Sequence, residues 1–186
     1  QFLQFREDKV ALAIILLFAY LVIPFTASDY WLSGILVPWL ALALVAMGQN
    51  ILMGYAGQHS LGSAGFMAVG AFACWNLIHR IDGMPFLLAI FLAGVVAALV
   101  GIVFGLPSLR VRGIYLAVAT LAAQFFIVWV IDKFGWFKDY DSSGIITAQD
   151  IVIFGHEFTS PSEKYLVVLG VVTALTWVAI NMSRGS

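Results

Sequence analysis

Charge is what this sequence has least of. Of its 186 residues, 10% are charged and 62% hydrophobic, and the mean hydropathy is +1.01. A water-soluble domain carries about 25% charged residues, so this chain has too little polar surface to cover a globule in water. It reads as an integral membrane protein. Nine basic against ten acidic residues leave a net charge of −1, with no basic run and no interleaving of basic and aromatic residues, so nothing points to nucleic acid. Cysteine is nearly absent as well. Cys74 stands alone in an apolar stretch, which excludes an internal disulfide and gives no redox compartment. The three histidines, His59, His79 and His156, fall in separate segments without metal-ligand spacing to one another or to Cys74. No metal or cofactor is expected. The Asn-Met-Ser sequon at 181–183 sits at a membrane edge and reads as chance.

The long apolar runs also lack Asp, Glu, Lys, Arg and His, except at their edges. A helix needs about 20 apolar residues to cross a bilayer, and six segments approach that length: 10–28, 32–53, 61–79, 85–106, 114–131 and 165–182. The fold class expected is all-α, a polytopic transmembrane bundle of about six spans forming a single domain over 1–186. Val10 to Ala27 is read as the first span and not as a secretory signal, because its apolar run exceeds the roughly 7–15 residues of a signal core and "SDYW" is a poor cleavage site.

Each absence inside the spans excludes a mechanism. Proton-driven carriers place carboxylates or histidines at membrane depth as relays, and none is available. A membrane hydrolase needs a base beside a nucleophile. No Gly-Lys dipeptide occurs, which rules out a Walker A phosphate loop. Sodium coupling through backbone carbonyls stays open. The remaining readings are a solute pathway driven from elsewhere and a passive channel.

Orientation follows from the basic residues of short loops. A cytoplasmic N-terminus puts Arg6, Lys9, Arg110, Arg112 and Arg184 inside, and Arg80, Lys133, Lys138 and Lys164 outside. Arg110 and Arg112, in the tight "LRVRG" turn, are expected at the cytoplasmic headgroups, as anchors or as an ATPase contact. The 132–164 stretch, with six acids against three lysines, is expected to be external. Its aromatic and aliphatic residues are too many for a disordered tether, which leaves a docking surface or a simple lid.

Two patterns stand out within the membrane segments. Ala89, Ala93, Ala97, Gly101 and Gly105 recur every four residues, a smooth face that lets another backbone approach closely. Packing within the subunit is the reading preferred over a dimer interface. The second pattern is "GYAGQHSLGSAGF", Gly54 to Phe66, where glycines and polar residues interrupt apolar sequence. Non-helical backbone is tolerated at membrane depth only where protein or water satisfies it. One reading is a broken helix lining a solute route, with Asn50, Gly57, Gln58, Ser60 and Gly62 as candidate pathway residues. The other is a cytoplasmic loop followed by an ordinary packing helix.

These residues carry a resemblance. "GYAGQHSLGSAGFMAVGAFA" followed by "GLPSLRVRGIYLAVATLA" resembles the LivM-type permease subunits of bacterial branched-chain amino acid ABC importers. Gly54, Gly57, Gln58, Ser60, Leu61, Gly62 and Phe66 match the first family segment. Leu106, Pro107, Leu109, Arg110, Arg112, Gly113, Tyr115, Leu116 and Ala117 match the second. The resemblance implies a multi-pass inner-membrane protein that is not itself an enzyme. Its implied partners are a second, LivH-type permease, two cytoplasmic ATPase subunits and a periplasmic substrate-binding protein. Permeases of this group also serve urea, short amides and aromatic acids, so those substrates stay open beside the branched-chain amino acids. The family's Gly-rich element after the fifth span is only loosely matched by "YDSSGIITAQD". The chain starts without methionine and ends at "NMSRGS", where the family's cytoplasmic coupling segment would begin, so a piece of a longer protein is expected.

Overall fold

Proline decides how the first helices are wound. The computed structural model describes residues 14–57, 60–108, 114–140, 151–153 and 156–184. Helix α1, Ile14–Thr26, contains a wide turn at Phe18–Val22, closed by the Ile23 N–H bonding to the Phe18 carbonyl five residues back. Helix α2, Val37–Ala56, is entered through a second wide stretch, Tyr30–Leu36, where Val37 N–H reaches the Leu32 carbonyl. Each wide turn ends shortly before a proline, Pro24 or Pro38. A proline has no N–H to give the preceding turn and its ring crowds that turn's carbonyl. Opening the turn by one residue relieves both problems.

The chain folds as two compact units, Gln1–Leu44 with Phe158–Ser186, and Val45–Glu157. The first is built from the two ends of the sequence. Leu32, Leu40, Tyr165 and Leu169 are its buried core. Tyr20 and Thr173 share a 2.8 Å hydroxyl–hydroxyl hydrogen bond, and the Tyr165 hydroxyl donates to the Ala19 carbonyl at 3.3 Å. Helix α6, Pro161–Arg184, starts with a half capping box. Pro161 occupies the first helical position, where its missing N–H costs nothing, and the Glu163 carboxylate accepts from Ser160 N–H at 3.4 Å.

The second unit contains α3 (Ser63–Arg80), α4 (Phe86–Ser108) and α5 (Ile114–Lys133). A 3-10 turn, Gly135–Lys138, follows α5, and the short strands β1 (Ile151–Ile153) and β2 (His156–Phe158) pair as a ribbon. Helices α3 and α5 run parallel: Gly62 and Gly65 meet Thr120 and Gln124 at one end, and Asn76 meets Phe137 at the other. Helix α4 returns antiparallel, with a β-carbon at Gly101 falling 4.0 Å from the Phe66 ring.

Among the described residues, four segments are long and apolar enough to cross a membrane: Tyr30–Gly54, Phe86–Leu106, Tyr115–Lys133 and Pro161–Met182. Ile14–Thr26 is apolar but shorter, and α3, which covers the third expected segment, is not among the four. Only 11–17% of the most apolar window of each of the four is buried inside the protein. The chain therefore keeps most of its large apolar side chains on the outside, which is stable in lipid and not in water. The fold is an all-α, multi-pass membrane protein.

Candidate functional site

The interruption in "GYAGQHSLGSAGF" is a real break between two helices. Helix α2 stops at Ala56, and Gly57 follows at φ 61°, the left-handed conformation that ends helices and that a side chain disfavours. Helix α3 begins at Ser63 with Gly62 at its N-cap. Between them, Leu61 N–H donates to the Thr120 hydroxyl of α5 at 2.9 Å, and Thr120 donates onward to the Ala117 carbonyl at 2.9 Å. The Gln49 amide of α2 donates to the Ser60 carbonyl at 2.6 Å and reaches the Ser63 hydroxyl at 3.5 Å. Gly62 N–H donates to the Ser60 hydroxyl at 3.3 Å. The Ser60 carbonyl and the Leu61 N–H are thus met by side chains of α2 and α5.

Close packing holds the break in place. A β-carbon at Gly62 would stand 3.0 Å from the Thr120 carbonyl oxygen, and one at Gly65 would stand 3.0 Å from the Gln124 α-carbon. Both glycines are buried. The arrangement presents amide, hydroxyl and backbone dipoles without a fixed charge. The Gln49 carbonyl oxygen is buried with no hydrogen-bond partner among the described residues.

Of the candidate pathway residues, Ser60 and Gly62 lie in this cluster and Gly57 ends the preceding helix. Asn50 is exposed. Gln58, and Arg110 and Arg112, which were expected in a cytoplasmic turn, lie outside the described residues. On α4, Ala89 and Ala93 are buried while Ala97, Gly101 and Gly105 are half-buried. Sequence reasoning missed Thr120 and Gln124 as members of the cluster. The signal was there: they are polar residues four apart in an otherwise apolar helix, hence on one face.

A second polar network lies at the opposite end of α3. Asn76, 7% exposed, donates to the carbonyls of Phe72 (2.8 Å) and Phe137 (3.0 Å). Its own carbonyl accepts from Arg80 Nε at 2.8 Å. Arg80 Nη2 donates to the Trp136 carbonyl at 2.7 Å, and the guanidinium stacks 4.3 Å from the Trp136 ring. Asp139 lies 3.2 Å from His79 and 3.9 Å from Arg80. These contacts clamp the 3-10 turn over the end of the helix bundle.

Four long apolar helices among the described residues, and a hydrogen-bonded break between two helices, make this a multi-pass membrane protein. The chain belongs to the family described as "Branched-chain amino acid transport system / permease component", which it matches over residues 31–186. It is 40% identical over 78 residues to the high-affinity branched-chain amino acid transport system permease protein LivM of Salmonella typhimurium, and 38% identical over 78 residues to that of Escherichia coli. Each match covers 42% of this chain and 18% of the relative. The chain therefore spans well under two thirds of the length of these relatives. No solved structure matches it to significance.

Proposed function

We propose that the chain is a membrane-spanning permease subunit of an ABC importer for branched-chain, hydrophobic amino acids in the bacterial inner membrane. It forms the solute pathway with a second, LivH-type permease. Two cytoplasmic ATPase subunits supply the energy, and a periplasmic binding protein delivers the amino acid. The family match over residues 31–186 carries this reading. The chemistry of the spans agrees with it, because no charged side chain lies in mid-membrane to couple a proton or to trap a zwitterion.

Within this reading, Gln58 and Ser60 line the solute route beside the α2–α3 break. An amide and a hydroxyl offer hydrogen bonds to a passing zwitterion without holding it. Gln58→Ala and Ser60→Ala are expected to lower uptake of labelled leucine about tenfold, the value of one lost hydrogen bond to a charged group, at an unchanged amount of assembled complex. Normal uptake by both variants at normal expression would make the break a packing element alone.

The turn holding Arg110 and Arg112 is proposed to face the cytoplasm, on the positive-inside bias of a short loop between two apolar helices. A single cysteine at Ser108 of the full-length permease should resist membrane-impermeant thiol reagents added outside intact cells. Ready labelling from outside would reverse the topology.

A further inference from the structure

Helices α4 and α5 both pack on α3 but part from each other along a slot of about 570 Å³. Its walls are aliphatic and aromatic from Val69, Phe104 and Phe126 upward, and polar side chains join the lining only at one end, where Asn76 and Arg80 stand with Trp136. The far end holds Phe104 and Phe126, with ring centroids 6.1 Å apart. From Val69 to Arg80 is eleven residues of α3, about 16 Å at the helical rise. One leaflet of the hydrocarbon core is about 15 Å deep. The α3 stretch that lines the slot is thus about as long as one leaflet is deep. The lining is apolar except at the end where Asn76, Arg80 and Trp136 stand, a cation and a tryptophan of the kind found at headgroup level.

We propose that this slot holds one acyl chain of a phospholipid, with the lipid phosphate at Arg80. The guanidinium suits that part. Nε and Nη2 are engaged by Asn76 and the Trp136 carbonyl, which fixes the plane of the group, and Nη1 has no hydrogen-bond partner among the described residues. Its side chain is 33% exposed, so the free edge is within reach of a headgroup. Asp139, 3.9 Å away, opposes an anion there, but it is shared with His79. The transported solute is a poor occupant, because the ammonium group of a zwitterion would find no anionic partner in the lining and its carboxylate could reach only Arg80, at one end. The site is thus distinct from the solute route proposed at the α2–α3 break, and its test does not depend on transport.

The test is photolabelling of the full-length permease, assembled with its partner subunits in lipid nanodiscs doped with a phospholipid carrying a diazirine near the end of one chain. Label, located residue by residue by tandem mass spectrometry, is expected on Phe72, Val100 and Phe126 well above the exposed α4 face, Phe91 and Leu99. Ala73→Phe and Val100→Phe fill the slot from two sides and should each lower that labelling about tenfold, since losing the contacts of two methylenes already suffices. Leu99→Phe, on the exposed face, should leave it unchanged. Labelling of the slot no stronger than of Phe91 and Leu99 would overturn the proposal, and would mean that a protein segment covers it or that it is closed. Labelling insensitive to both filling substitutions, or competed away by free leucine, would overturn it equally. If neither filled variant assembles, the distribution of label in the unaltered protein decides.

Discussion

Gly62→Leu is expected to abolish the assembled permease. A β-carbon at this position meets the Thr120 carbonyl oxygen at 3.0 Å and the Thr120 β-carbon at 3.5 Å. The carbonyl belongs to the backbone of α5, so it cannot swing aside as a side-chain tip would. Sliding α3 along α5 gives no escape either. One turn later Gly65 is just as tight, at 3.0 Å from the Gln124 α-carbon. Overpacking a well-filled interface costs about 1–3 kcal/mol and sometimes more, and leucine adds three carbons beyond the β-carbon. Separating the helices would also break the Leu61–Thr120 hydrogen bond and take that backbone N–H from its partner. Fluorescence-detected size exclusion of the detergent-solubilised complex reads the outcome, with loss of the assembled peak expected. Gly48→Ala is the matched control: nothing lies within 4 Å of its added carbon, and replacing a mid-helix glycine should leave stability unchanged or raise it by about 0.4–1 kcal/mol. Normal assembly of Gly62→Leu would show that the close approach is dispensable.

The second large effect is expected at Asn76. Its amide meets two backbone carbonyls and its oxygen meets Arg80, so every polar atom of the side chain has a partner. Asn76→Leu keeps the volume but leaves the Phe137 carbonyl and the Arg80 Nε without theirs. An unpaired buried group costs about 1–3 kcal/mol, more when it is charged. A loss of about 3 kcal/mol is therefore expected, together with faster proteolysis across the 3-10 turn Gly135–Lys138, because Asn76 and Arg80 both hold that turn. Arg80→Lys tests the same clamp more gently. It keeps the charge but lacks the fork that serves Asn76 and Trp136 at once. The two substitutions should be non-additive, since they break one network. Unchanged melting and unchanged protease protection in Asn76→Leu would leave the clamp without energetic weight.

The clamp also shows why part of the structure could not be read from residues alone. Asn76 and Arg80 are four apart on one helix, which their spacing implies, but their main partners are the carbonyls of Trp136 and Phe137, more than fifty residues away. A backbone carbonyl carries no residue identity, so no pattern in the sequence marks it as a partner. Thr120 is a contrasting case. A hydroxyl in an apolar helix is conspicuous, and only the identity of its donor, Leu61 N–H, had to come from the fold. The join of Tyr20 to Thr173 and of Tyr165 to Ala19 lay further out of reach, because it depends on the two ends of the chain meeting.

What the residues determined by themselves was the solvent, the kind of secondary structure and the place where a helix must break. Burial in lipid is nearly additive over apolar side chains, so composition decides it. Backbone groups in hydrocarbon must pair within their own segment, so the long apolar runs are helices. The glycines and polar residues of 54–66 mark where that rule is met differently. The tertiary structure alone decided which helices lie parallel, that Gly62 and Gly65 are contact points on α5 while Gly57 is a conformational one, and that α4 and α5 part to leave a largely apolar slot. Packing depends on pairs of surfaces, and a smooth face such as that of Ala89 and Ala93 fits many partners equally well until the chain brings one of them to it.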